Sequence, residues 1–226
     1  MKDSKKARGP AAVAGAALLA RLQQRTEEER GRLARMLHHD VSGMLAAARM
    51  DLSRLMARVP GDGDLAEQLR HVDQLLAQVI GDARAEMQRL HPALIDHFGL
   101  PVALRHLIDE TCRTRGCVFT LEIIDESEGL DPPLPMAAYR VVEALLAGER
   151  LQEFTASFGP RREGYALELA VLPAPETDAV RTDDLLALRA WLEQLGATWK
   201  ESRRDQRWLV ELKLPRRAGE GEAPGA

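Results

Sequence analysis

The chain has 226 residues, a formal net charge of −4, 45% hydrophobic residues and 4% aromatic ones. This length admits one large domain or two small ones, and scarce aromatics beside abundant Leu, Ala, Arg and Glu favour helix over sheet. The charge balance excludes a general nucleic-acid footprint, which needs a basic surface to release phosphate counterions.

The N-terminus, MKDSKKARGPAAVAGAALLARL, has a basic start and a short Ala-rich run. That run covers about ten residues and contains Gly15, whereas a membrane span needs roughly 20 apolar residues. We expect a disordered tip over residues 1–13, no membrane insertion and a cytoplasmic location. Residues 14–58 then carry a helical pattern without proline. At about 100° per residue, Ala34, Leu37, Val41, Met44, Leu45, Ala48, Leu52 and Leu55 fall within roughly 60° of a line through Val41. The segment VPGDGD (59–64) breaks the helix with Pro and two Gly. A second stripe follows in Leu65, Leu69, Val72, Leu75, Leu76, Val79, Ala83, Met87 and Leu90, ending at Pro92. Two long helices joined by a short turn make an antiparallel hairpin. Such a hairpin cannot bury both stripes alone, so the pattern predicts a homodimer closing a four-helix bundle.

Beyond HPALIDHFGL the pattern is mixed. A helix is expected from Pro101 to Arg115, a strand over 117–124, and a helix at MAAYRVVEALLA. A hairpin flanks GPRREG, a helix occupies TDDLLALRAWLEQLG between an Asp/Thr start and a Gly stop, and TWKESRRDQRWLVELKLP closes as a final hairpin. The fold class is therefore α+β, with a helical hairpin over 14–97, an α+β unit over 98–215 and a disordered low-complexity tail over 216–226. Cys112 and Cys117 match neither a zinc nor a redox-dithiol spacing and read as buried or idle thiols in a reducing compartment.

Two adjacent histidines stand out in ERGRLARMLHHDVSGML (29–45). Relative to Val41, His38 lies about 60° away and His39 about 160° away on an ideal helical wheel. His38 is thus at the shoulder of the apolar stripe, exposed yet held, and His39 faces solvent. Arg32 and Arg35 precede them by one or two turns, where their charge either favours a phosphate or a partner or serves as solvated surface, as does that of Arg30. His71, His91, His97 and His106 show no ligand spacing, and Trp191, Trp199 and Trp208 read as core or partner contacts rather than a ligand cage.

The stretch ERGRLARMLHHD resembles the phosphoacceptor box of bacterial two-component sensor histidine kinases of the nitrate-sensor and desaturase-regulator subfamily, E-R-x-R-[IL]-A-R-x-L-H-[DE]. Glu29, Arg30, Arg32, Leu33, Ala34, Arg35, Leu37 and His38 fit that box. The resemblance continues in GMLAAARMDLSRL and in LHPALIDHFGLPVALRHL, and it covers roughly residues 27–124. It implies a dimeric four-helix bundle in which His38 is phosphorylated and passes the phosphoryl group to a response-regulator aspartate.

The box has two departures. His39 stands where the family has the acid that acts as base, and Asp40 falls one place late. Gly43 stands where many members carry a glutamine that positions water, so Gln-dependent phosphatase activity is unsupported. His39 then reads as an exposed bystander, as a substitute proton acceptor, or as the phosphorylated residue if the helix is rotated.

Further on, LPMAAYRVVEALLAGE and LLALRAWLEQLGATWKESRRDQRWLVELKLP are similar to the first helix and the last elements of that family's ATP-binding domain. Ala147 occupies the place of the metal-binding asparagine, and between Ala147 and Leu185 there is no D-x-G-x-G motif or Gly-rich lid. Without backbone donors for phosphates or a side chain for the metal, ATP binding and ATP-dependent autokinase activity are not expected. The expected molecule is a histidine phosphotransferase with a degenerate, shortened ATPase-like α/β sandwich. It would receive phosphate at His38, with His39 and Asp40 as the further candidate catalytic residues, from a phosphorylated regulator or another histidine kinase. It would hold no cofactor of its own, the partner receiver bringing magnesium. The alternative is a non-catalytic binding module that docks a response regulator or a partner kinase.

Overall fold

A computed structural model describes residues 10–61, 63–148, 151–174 and 182–216. Of the stretches expected to be disordered, 1–13 and 216–226, most lie outside the described residues, but 10–13 are helical as the start of a helix and Arg216 is held by a 2.7 Å hydrogen bond to the Tyr165 hydroxyl, which corrects the expectation there. Contacts divide the chain into two compact units: Thr26–Ala93 forms one, and the described residues up to Arg25 join those from Leu94 onward in the other. These boundaries differ from the expected 14–97 and 98–215. Ala20 of the first helix and Ile95 are both buried in the core of the sheet-containing unit, and burial decides membership.

The helix α1 (Pro10–Met36), which belongs to the hairpin unit from Thr26 on, runs into a π-helical turn, Leu37–Val41, which continues as α2 (Ser42–Met56). No proline interrupts this run until Pro60, and Gly63, at φ 131°, supplies the left-handed conformation from which α3 (Asp64–Leu90) starts. Asp64 and Glu67 in its first turn complement the helix dipole. α3 ends at His91, whose extended backbone (φ −149°) is the conformation that a following proline demands. Arg49 of α2 donates two hydrogen bonds to Asp73 of α3 at 2.8 and 3.3 Å, which ties the two helices in antiparallel register.

Only part of the two apolar stripes is covered within the chain. Ala34, Leu52 and Met87 are buried, while Met44, Leu55, Leu65, Val72, Leu75 and Val79 remain exposed. On α3, the side chains at 65, 72, 75 and 79 form a face of their own, distinct from the half-buried Leu69, Leu76, Ile80 and Ala83.

The other unit is built on α4 (Ala93–Arg115), β1 (Val118–Ile123), α5 (Pro133–Leu146), β2 (Leu151–Arg161), β3 (Gly164–Pro173), α6 (Thr182–Gln194), β4 (Thr198–Arg204) and β5 (Arg207–Pro215). α4 is broken at Gly99 (φ 78°), where a Cβ would come within 2.8 Å of Ser127 Oγ, and it restarts at Pro101, the expected helix start. Leu100, Leu104, Ile108 and Cys112 recur every fourth residue and are all fully buried. The sheet order is β1-β2-β3-β5-β4, with β1 and β2 parallel and every other pairing antiparallel. Alternation sends Phe154, Ala156, Phe158, Leu167, Leu169, Val171, Val210 and Leu212 into one core with α5 and α6, while Thr155, Ser157, Glu168 and Glu211 are left outside it. This is an α+β architecture with a helical N-terminal part and a five-stranded mixed sheet. Gly164 is required by close approach, because a Cβ there would lie 2.1 Å from the Leu214 carbonyl oxygen. Trp191 and Trp199 are buried and Trp208 is half-buried, so the tryptophans serve the core.

Candidate functional site

The histidine pair sits on the π-helical turn. The Ser42 amide donates to the Leu37 carbonyl, five residues back, instead of the four of an α-helix. A wider turn separates consecutive side chains by less than the roughly 100° of the ideal wheel. His38 and His39 accordingly do not diverge as that wheel requires. Both are exposed, and their rings meet edge to face with centroids 5.5 Å apart. The wheel positions expected for His38 and His39 assume uniform α-helical geometry, which does not hold across residues 37–41. Asp40 is also exposed on this turn and makes no side-chain hydrogen bond or ion pair among the described residues.

Neither predicted arginine is bonded to the histidines. Arg32 is tied to Glu29 at 2.8 Å, and Arg30 pairs at 3.6 Å with the buried Glu27. Arg35 reaches back along the helix, with its Nη1 beside Gly31 on the same side as His91 Nδ1. That backward reach follows from side-chain direction in a helix, which points toward the N-terminus. Of the remaining histidines, His71, His97 and His106 are exposed; His97 meets Phe98 and His106 lies 3.4 Å from Glu110.

Sequence reasoning missed Arg84. The crossings of Gly31 with His91 and of Arg49 with Asp73 fix the hairpin register, and between them Arg84 on α3 comes level with His38. The two residues are equally distant in sequence from Gly61, so folding the sequence about that glycine reveals the pairing. Arg84 also lines an open groove of 670 Å³ with Arg49, Ser53 and Asp73. An exposed imidazole on a helical run is chemically a nucleophile that an anionic phosphoryl donor can approach.

Two curated proteins resemble the chain. The sensor histidine kinase NarS of Mycobacterium tuberculosis (strain ATCC 25618 / H37Rv) is 28% identical over 204 residues, 89% of this chain and 46% of that protein. The sensor histidine kinase LiaS of Bacillus subtilis (strain 168) is 30% identical over 123 residues, 53% of this chain and 33% of that protein. The chain is thus similar to sensor histidine kinases over most of its own length. It spans about half the length of the first of these kinases and a third of the second. No protein-family model matches it. Among solved structures, the histidine kinase domain of the blue-light-activated kinase of Erythrobacter litoralis aligns with a TM-score of 0.42 at 13% identity, covering 78% of this chain and 94% of that one. The Acinetobacter baumannii histidine kinase AdeS aligns with a TM-score of 0.39 at 9% identity, covering 76% and 95%.

At the end of α5, the place that the resemblance assigns to a metal-binding asparagine holds Ala147. Ala147 is the exposed C-cap, its amide bonded to the Glu143 carbonyl, and its methyl offers no oxygen to a metal. The last carbonyls are engaged by Arg115, whose Nη1 donates to the Leu146 oxygen at 2.7 Å and the Gly148 oxygen at 2.9 Å. A cation there also complements the helix dipole. Among the described residues no group of three His, Cys, Asp or Glu is arranged to hold a metal ion. Burial, aided by Cys117, pushes the Cys112 thiol up to about 12, which keeps it unreactive as expected of an idle thiol. No described helix is long and apolar enough to cross a membrane.

Proposed function

We propose that this chain is a two-component phosphorelay protein, a histidine phosphotransferase that accepts a phosphoryl group on His38 and exchanges it with the aspartate of a response-regulator receiver domain. The observation that carries this reading is the phosphoacceptor box with His38 exposed on a long helical hairpin. The relationship to sensor histidine kinases supports it. The neutral imidazole attacks phosphorus, the bond to the aspartyl oxygen breaks, and the carboxylate leaves. Magnesium comes with the receiver, and this chain supplies the nucleophile. Phosphate made elsewhere is the substrate, because Ala147 lacks a metal-binding side chain. The exposed faces of α2 and α3 support a homodimer in which two hairpins close a four-helix bundle.

The test is phosphotransfer from receiver domains labelled with radioactive acetyl phosphate. Label moves to the wild-type chain and not to His38→Gln; label retained on His38→Gln overturns the assignment. Isothermal titration with magnesium ATP is expected to show no micromolar binding. The departure at His39 favours a second reading, a module that docks a receiver or a partner kinase without phosphate passing through it. Pull-down unaffected by His38→Ala, with no phosphohistidine formed, selects that reading.

A further inference from the structure

We propose that Cys112 and Cys117 form a reversible modification site, at which a small-molecule disulfide oxidises the two thiols to a bond within the chain. The site belongs to the sheet-containing unit and stands independently of the reading of His38.

The turn that ends α4 creates the pairing. Gly116 takes the left-handed conformation (φ 69°), and the Cys117 amide donates to the Cys112 carbonyl, five residues back, at 3.0 Å. This is the closure of a Schellman motif, which sets the side chain that follows the glycine against one in the last helical turn, frequently as an apolar contact. Here both positions are cysteine, and the two thiols are hydrogen-bonded to each other. Their spacing matches no redox motif, and it is the left-handed glycine that makes them neighbours.

The two thiols differ in access. Cys112 is fully buried and Cys117 is half-buried against the core. Burial keeps Cys112 protonated and out of reach of reagents, so Cys117 opens the reaction. Its thiolate attacks one sulfur of the small disulfide, the sulfur–sulfur bond breaks, and one small thiol leaves carrying the proton that Cys117 gave up. Cys112 then attacks the Cys117 sulfur seated beside it. The bond to the second small thiol breaks, and that thiol leaves with the Cys112 proton. Two protein thiols are oxidised and one disulfide is reduced to two small thiols, so atoms and electrons balance. A protonated thiol is a poor nucleophile toward a dissolved reagent; contact with its target sulfur is what lets Cys112 act. In a reducing compartment such a bond is transient, as in redox sensing, rather than a permanent staple. Arg115 lies inside the ring that the bond closes, so oxidation also restrains the residue that caps the Leu146 and Gly148 carbonyls.

The probe is oxidised glutathione in excess, applied to the reduced full chain, with free thiols then blocked by N-ethylmaleimide. The products are read by peptide mass spectrometry and electrophoresis, both without reductant. Wild type is expected to carry the Cys112–Cys117 bond within one chain and no glutathione, and dithiothreitol to restore both thiols. Cys112→Ala and Cys112→Val are expected to stop with one glutathione on Cys117, and folded Cys117→Ser to take up none. Two Cys112 variants are used so that poor packing of one does not remove this arm, and far-ultraviolet circular dichroism checks the fold of each. A wild-type chain that stays unmodified, keeps glutathione on Cys117 or joins to a second chain overturns the proposal. So does folded Cys117→Ser that takes up glutathione as fast as wild type.

Discussion

Replacing Leu75 and Val79 on α3 by glutamate tests whether the uncovered face of the hairpin is a subunit interface. Each side chain is 48% exposed. Full burial of a Leu or Val side chain contributes about 1.5–3 kcal/mol, so covering the exposed half of each recovers about 1 kcal/mol. Two side chains in each of two protomers then account for about 4 kcal/mol, about a thousandfold in Kd. Burying an unpaired carboxylate adds to that loss. Sedimentation equilibrium across a concentration series is expected to show a wild-type dimer and a monomeric double variant of unchanged helix content. The substitutions spare the half-buried positions that face α2, so the hairpin itself is retained. A wild-type chain that sediments as a monomer, or a double variant that dimerises with the wild-type Kd, refutes the reasoning.

Three further outcomes are expected. The Arg49 guanidinium, chiefly through its hydrogen bonds, holds the Asp73 carboxyl below the usual carboxylate range. The pair's stabilising contribution is thus complete above the ordinary aspartate pKa and disappears only as pH falls through the lower native value; Arg49→Ala should return Asp73 to a higher pKa in a carboxyl NMR titration. Burial, then the Glu143 carboxylate, pushes Tyr139 up to about 12. Its contribution to stability is present below pH 10 and is lost as pH rises toward 12, and in a Tyr165→Phe variant, which leaves Tyr139 as the sole tyrosine, absorbance at ~295 nm should titrate with that midpoint. Arg115→Ala uncaps the carbonyls of Leu146 and Gly148, and for an exposed charged donor it should cost about 1 kcal/mol in urea unfolding. Tryptophan fluorescence reports this in the sheet-containing unit alone, since Trp191, Trp199 and Trp208 all lie there; an unmoved midpoint would show that water replaces the cap.

Much of the architecture was legible in local pattern. Period-3.6 stripes marked the long helices, Pro60 with its flanking glycines marked the turn, and the alternation of Phe154, Ala156 and Phe158 marked a half-buried strand. These features are readable because each depends on neighbours a few residues away. The candidate nucleophile was legible for the same reason, since His38 stands within one contiguous box.

What local pattern missed depends on distance or on irregular geometry. A helical wheel assumes a constant angle per residue, so it cannot anticipate the π-helical turn that brings His39 against His38. Arg84 is remote from the box and joins its level only when the hairpin closes. The placement of Ala20 and Ile95 in the sheet unit's core likewise follows from packing between elements far apart in the chain.

The amino-acid sequence by itself determined the helical hairpin, the α+β class and the identity of the box histidine, because periodicity and residue chemistry act locally. Only the tertiary structure decided which apolar positions stay uncovered, what lies level with His38 and how its neighbour is aimed. Those properties are set by the register between helices and by one hydrogen bond, from Ser42 to Leu37, that spans five residues instead of four.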